Sequence, residues 1–550
     1  MNLSIRRAKR DSAIAYLILA ASLAIYVLQL RSLYVVPVAD SVRWGGDETW
    51  LMREFGNQAA HGVMAYPEHF GNATRTDGVL AGSMWVNALI YGVTGHVFFP
   101  AHDFAAIGRT VTAILGLILI LSLFLILRRL ETRPVIAACA VALLTISQGF
   151  AWATHCARYD LLTGLVLLGY VYFLARQSET QMNTRRAFWT GFTAIGLLIF
   201  SRHMLTLPAG ATLAFILSVK LWRDRRILSS WLLGVLSAAT TLSLAYWLGA
   251  GEFSLFGRGG SMGSFSFVLQ QIPIARPFSR NVQISNLIER YNLFAGDAPG
   301  VLLLAAVAII LAISYMVWQW RMRRHGRQLR LAMAPAQTFA MLATVFCIIG
   351  WCLFQGSRPY YLFHITPLVI ACGAIVLELF AEVHTARWFG SSGAIAVLVA
   401  GIGMQASHAI PATAFGAAVV RDQSAAIRRL LEEAPPKSRI LVDVAGLNFA
   451  LMDTTHQILT LDMFQPPPTA EDAVSKLRAN KIDFVILRSS PVGTPFEPGR
   501  SLLPHVLDSI GGARDTMLGF FYDDGRNYDA SLDRLIEQGL DTLKLYSAPR

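Results

Sequence analysis

AAIGRTVTAILGLILILSLFLILRR, residues 105–129, decides the class of this protein. Between Arg109 and Arg128 no residue carries a charge, and Leu and Ile dominate. An α-helix crosses the hydrocarbon of a bilayer with about 20 such residues. The backbone of such a segment must satisfy its own hydrogen bonds, so a spanning helix is the reading. The Arg128-Arg129 pair at its end supplies a direction, because cytoplasmic loops are enriched in Lys and Arg.

Working outward from that run, the other apolar stretches fall into register. The N-terminal MNLSIRRAKRDSAIAYLILAASLAIYVLQL has an apolar part longer than a signal-peptide core. It reads as a retained first span with its basic end in the cytoplasm. An outer loop, 31–104, follows. Within it, 79–98 reads as a helix lying in the outer interface, since a second crossing there would put Arg128-Arg129 on the wrong side. After the second span (105–127), further spans are expected over 134–153, 161–175, 187–201, 203–219, 228–249, 300–320, 332–354, 361–381 and 391–411. The total is about eleven. Basic clusters such as Arg185-Arg186, Lys220 to Arg226 and Arg321 to Arg330 then share one side.

Composition agrees. Charged residues make up 15% of the 550 and hydrophobic residues 54%, with a mean hydropathy of +0.47. Soluble domains carry roughly 25% charged residues. The net charge is +12. Much of it lies in short loops between apolar runs, so it is assigned to topology and not to nucleic acid. The five cysteines lie in or beside apolar segments without metal-ligand spacing, and read as small buried hydrophobes.

Residues 412–550 change character. ILVDV (440–444) and FVILR (484–488) read as buried strands, TAEDAVSKLRANK (469–481) as a helix capped by Thr469, and TLKLY (542–546) as a last strand. The expected fold class is therefore a polytopic α-helical membrane domain, 1–411, with a C-terminal α/β domain, 412–550, on the extracytoplasmic side. No glycine-rich phosphate loop follows a strand there.

Ionisable residues at a membrane boundary are costly and become functional candidates. Four groups fall at outer ends. Asp47-Glu48, in RWGGDETW, suit a general base, and equally the first turn of a helix. His155, Arg158 and Asp160, in THCARYDLL, suit a site or an interfacial Arg–Asp pair. Arg202-His203 suit a site or a snorkelling arginine. Arg358, Tyr360, Tyr361 and His364, in SRPYYLFHITP, suit an aromatic belt or a fork of donors for a lipid phosphate. Together they place carboxylates, arginines and histidines on one face at one depth, as a lipid-linked phosphate substrate requires.

The order of these segments resembles the GT-C class of membrane glycosyltransferases (family 39-like), the group that includes protein O-mannosyltransferases and the lipid A aminoarabinose transferase. The resemblance covers roughly 12–380. GGDE after the first span is similar to the family's acidic outer-loop motif. MWVNALIYGVTGHVFFPAHDFAAIGRT resembles its interfacial helix and Arg-bearing stretch, with Arg109 matching the family arginine. Arg202 stands where many relatives have Lys, and SRPYYLFHITP resembles a late "RY…P" segment. The resemblance implies an inverting transferase of the inner membrane using a polyprenyl-phosphate sugar donor, with Asp47 as base and Arg residues on the leaving phosphate. The acceptor is a lipid, a glycan or a protein. No cofactor follows from it with certainty. A divalent cation on His61, Glu68 and His69 is one reading, and solvated loop residues the other. Two different functions fit the same residues, a flippase for a lipid-linked saccharide and a non-catalytic envelope assembly protein.

Overall fold

The structure is a computed structural model. It describes residues 2–30, 104–155, 160–179, 183–200, 225–250, 298–324, 359–383, 392–407, 430–442, 455–460, 477–489, 513–519 and 541–547, with a few isolated positions between. Ten helices are numbered here in chain order. α1 is Asn2–Gln29, α2 Phe104–Arg129, α3 Pro134–Thr145, α4 Gln148–His155 and α5 Asp160–Glu179. α6 is Thr184–Phe200, α7 Arg225–Ala250, α8 Pro299–Arg324, α9 Pro359–Val383 and α10 Ser392–Ser407. The expected interfacial helix 79–98 and the span 203–219 lie outside the described residues. Of the span 332–354, only isolated helical positions are described.

α3 lies at the centre. Nine of its twelve residues are buried, and four of those nine are Ala or Cys between 137 and 140. Small side chains let neighbouring helices approach, which is how helices associate where lipid removes the hydrophobic drive. α1 and α2 pack on α3, and α9 packs on α3, α4 and α5. The outward faces are apolar too. Leu17, Leu28, Leu125, Leu236 and Ile310 are all exposed. A body with large apolar side chains both inside and outside has hydrocarbon as its solvent. Among the described residues, Asp11–Gln29 and Arg109–Arg129 are long and apolar enough to cross a membrane unaided, at 19 and 21 residues.

The stretch expected as a single span over 134–153 is divided into α3 and α4. The Ser147 hydroxyl donates to the Leu144 carbonyl at 2.8 Å, and the Ser147 amide to the same oxygen at 3.0 Å. This local bonding ends α3 at Thr145, as serine hydroxyls do when they compete with the helix ladder. The turn between α2 and α3 is equally specified. Glu131 takes φ 66°, and the Thr132 amide reaches back to the Leu127 carbonyl at 3.0 Å. Glu378 of α9 then caps α3. Its carboxylate accepts the Arg133 amide at 2.7 Å and meets the Arg133 Nε at 2.8 Å. Pro134 at the first helical position needs no such acceptor.

Two helix pairs touch backbone to backbone. A Cβ at Gly191 of α6 would collide with the Trp231 carbonyl of α7, and one at Gly234 with the Phe188 carbonyl. Gly300 of α8 meets the Gly401 carbonyl of α10 in the same way.

Beyond the helices, five strands form one sheet in the order β2-β1-β3-β5-β4. β1 is Arg439–Val442, β2 Gln457–Thr460, β3 Phe484–Ser489, β4 Ala513–Gly519 and β5 Asp541–Ser547. β2, β1 and β3 are parallel, while β5 pairs antiparallel with both β3 and β4. The expected strands are β1, β3 and β5. The described part of the expected helix 469–481 includes helical residues 477–479.

Gly234→Ala forces α6 and α7 apart and costs about 1–3 kcal/mol. Gly169→Ala of α5, where nothing lies within 4 Å of the new Cβ, gains up to about 1 kcal/mol from helix propensity. Thermal unfolding of the purified protein in detergent separates them, and equal midpoints would refute the close crossing. Glu378→Ala removes the cap and the ion pair with Arg133. Arg133 is a third exposed, so the loss is at the lower end for a buried pair, about 3 kcal/mol by the same measurement.

Candidate functional site

Eight helices, α1 to α5 and α8 to α10, meet at one end of the bundle through a chain of specific contacts. Tyr26, one turn from the end of α1, donates its hydroxyl to the Ala113 carbonyl of α2 at 2.5 Å. Its ring lies 5.5 Å from that of Phe150 in α4. Phe150 in turn lies 6.0 Å from Phe363, in the first turns of α9. A Cβ at Gly149 or Gly164 would sit 3.6 or 3.5 Å from Phe363, so α4 and the opening of α5 both close on that ring. Gln29 at the end of α1 donates to the Thr145 carbonyl at the end of α3 at 3.3 Å. Leu143 near that end approaches Gly300 at the start of α8, whose amide is capped by Gln405 of α10 at 3.3 Å.

This end carries the expected residues that the structure describes. Arg109 sits in the second turn of α2 and is 2% exposed. His155 is the last residue of α4 and Asp160 the first of α5. Tyr360 and Tyr361 lie in the first turn of α9. Thr112 joins two of these elements. Its hydroxyl donates to the Arg109 carbonyl at 2.9 Å and lies 3.4 Å from the Thr154 carbonyl, next to His155. Asp47, Glu48, Arg158, Arg202, His203 and Arg358 lie outside the described residues, as do His61, Glu68 and His69. Among the described residues, no group of three His, Cys, Asp or Glu is placed to hold a metal ion.

The opposite end has the other character. Arg128 and Arg129 finish α2, Arg176 lies in the last turn of α5, and Arg133 pairs with Glu378. The basic residues that open α1 sit at that end as well, because α1 runs parallel to α3. The site end, by contrast, combines a buried guanidinium with the N-termini of α2, α5 and α9. Aligned peptide dipoles there favour an anion. Chemically, this arrangement can hold a phosphate head group at the edge of an apolar bundle.

Sequence reasoning missed Tyr26 and Thr112. Tyr26 is one of two phenols in an apolar run, with Tyr16, and only its distant hydrogen-bond partner distinguishes it from an interfacial aromatic.

No protein-family model matches the sequence, and no curated protein matches it. Solved structures do. The crystal structure of ArnT from Cupriavidus metallidurans bound to undecaprenyl phosphate is similar at a TM-score of 0.50 and 14% identity, over 96% of this chain and 97% of that one. The apo structure of the same ArnT gives 0.50 and 13% over the same shares. At this identity the likeness speaks for architecture, and it spans nearly the whole length of both proteins. The chain has the fold of ArnT, the GT-C architecture that its order of segments resembles.

Proposed function

We propose that this protein is an inverting glycosyltransferase. It moves a sugar from a polyprenyl-phosphate donor to an acceptor hydroxyl on the extracytoplasmic side of the inner membrane. The observation that carries the reading is Arg109, buried at the end where His155 closes α4, Asp160 opens α5, and Tyr360 and Tyr361 fall in the first turn of α9. One of the structures sharing this fold is bound to undecaprenyl phosphate, a ligand of the same chemical class.

The chemistry is a single displacement. Asp47 takes the proton of the acceptor hydroxyl, and the acceptor oxygen attacks the anomeric carbon. The bond from that carbon to the phosphate oxygen breaks, and its electron pair leaves with the polyprenyl phosphate. Arg109, with Arg158, Arg202 and Arg358, meets the growing charge on the phosphate. A donor placed before the reaction and strengthened as charge develops lowers the barrier directly. His155, His203, Asp160, Tyr360 and Tyr361 are assigned to binding the donor head group, and Glu48 to the catalytic pair with Asp47. The acceptor is a lipid, a glycan or a protein hydroxyl.

The same reading gives the chain about eleven spans and two domains, 1–411 and 412–550. The C-terminal domain lies with the site on the extracytoplasmic side. The Gln405–Gly300 contact supports this, since it puts the end of α10 at the site end of the bundle.

Asp47→Asn abolishes sugar transfer, with the protein still inserted and folded; assay of the purified variant with a polyprenyl-phosphate sugar checks this, and retained turnover removes Asp47 as base. Alkaline phosphatase fused after Arg550 is active in cells, because the chain ends outside. An inactive fusion, with a fusion after Arg324 active instead, reverses the topology.

A further inference from the structure

We propose that Tyr26 is a positioning residue, which with Thr112 fixes the turn of α2 carrying Arg109 at one rotation about its axis. The inference rests on the reading of Arg109 as a phosphate-holding residue.

Arg109, Thr112, Ala113 and Gly116 are spaced i, i+3, i+4 and i+7, so they form one face of α2. Directed bonds and one close approach fall on that face. The Tyr26 hydroxyl donates to the Ala113 carbonyl at 2.5 Å. Thr112 bridges the Arg109 carbonyl, at 2.9 Å, and the Thr154 carbonyl of α4, at 3.4 Å. Gly116 provides the slot. A Cβ there would collide with the Tyr26 hydroxyl and lie 2.8 Å from the Thr154 methyl.

The phenol is not needed to fill space, because a phenylalanine presents the same ring to Phe150. Nor does α2 need it to satisfy a carbonyl, because Ala113 lies inside a continuous helix. Burying a hydroxyl is unfavourable unless it is bonded. What the bond adds is a direction. An apolar face of Leu and Ile slides and rotates with little change in contact area, whereas a hydroxyl on one carbonyl fits one register. A one-residue slip turns a helix by about 100° and would swing Arg109 off this face. Tyr26 also lies one turn before the end of α1, from which the chain continues to Asp47. It therefore ties the helix leading to the proposed base to the helix bearing the phosphate-holding arginine.

The test is a double-mutant cycle on the full chain in lipid nanodiscs, with undecaprenyl phosphate as the probe and its dissociation constant as the readout. Tyr26→Phe weakens binding about fivefold, the scale of one hydrogen bond, with a melting midpoint within about 3 °C of the parent. Arg109→Ala weakens it more. The double variant binds as Arg109→Ala alone, since a residue that only aims Arg109 has nothing left to aim. A merely structural role changes the midpoint and multiplies the losses. If Tyr26→Phe binds as the parent does, or if the two losses multiply, the positioning role is overturned while the transferase reading stands. If the parent does not bind the probe, or Arg109→Ala binds as the parent, the reading of Arg109 itself fails and this inference falls with it. Should Tyr26→Phe not fold, Thr112→Val enters the same cycle with the same outcomes.

Discussion

α3 touches protein on nearly every side because its side chains are small. In water, such a helix would be held by expelling solvent from larger residues. In hydrocarbon that drive is absent, and what remains is close packing and a few directed bonds. The consequences run through the bundle. Ala137 to Ala140 admit α1, α2 and α9 to the centre. Gly191, Gly234, Gly300 and Gly401 bring backbones into contact elsewhere. Because contact area alone does not fix rotation, the bundle relies on isolated polar links at its two ends, from Tyr26, Thr112 and Gln29 at one and Glu378 at the other.

Those two ends have different jobs. At the basic end, carboxylate and arginine neutralise one another, and the remaining arginines lie where they can meet water or lipid head groups. Among the described residues, nothing there collects acid, base and phosphate donors around one point. At the other end, helix starts converge with Arg109 beneath them, and the residues with chemical potential are at the termini of rigid elements instead of mid-helix. On the proposed function, a reacting head group sits at that boundary while its tail stays in lipid. Placement of this kind answers the cost of putting charge in a membrane, since the charge is used where the apolar phase ends.

Hydrophobic runs made the helices legible in the sequence, and alternating basic loops made their direction legible. α5, α7 and α9 begin and end within a few residues of expectation. The break at Ser147 was hidden, because one hydroxyl in a long apolar run carries no periodic signal until its acceptor is known. In the sheet, β1, β3 and β5 were visible as apolar or alternating strings. β2 and β4 were not, and they are the two edges. An edge strand needs fewer apolar residues, and ARDTMLG is held by pairing with β5 more than by its own composition. At the site, charged residues at helix ends stood out. The phenol and the threonine that organise them did not, since their partners are 87 and 42 residues away.

The cap on α3 has a consequence for biogenesis. Glu378 is 245 residues downstream of the amide it accepts. At ribosomal speeds of about 5–20 residues per second, the α2–α3 hairpin waits roughly 12 to 50 s for its carboxylate. Phe150 waits nearly as long for Phe363. The first third of the nascent chain therefore enters the bilayer as an unfinished assembly, its innermost helix uncapped until α9 arrives. The late segment closes the early one, and a translocation or quality-control factor that shields exposed polar backbone would find its client in that interval.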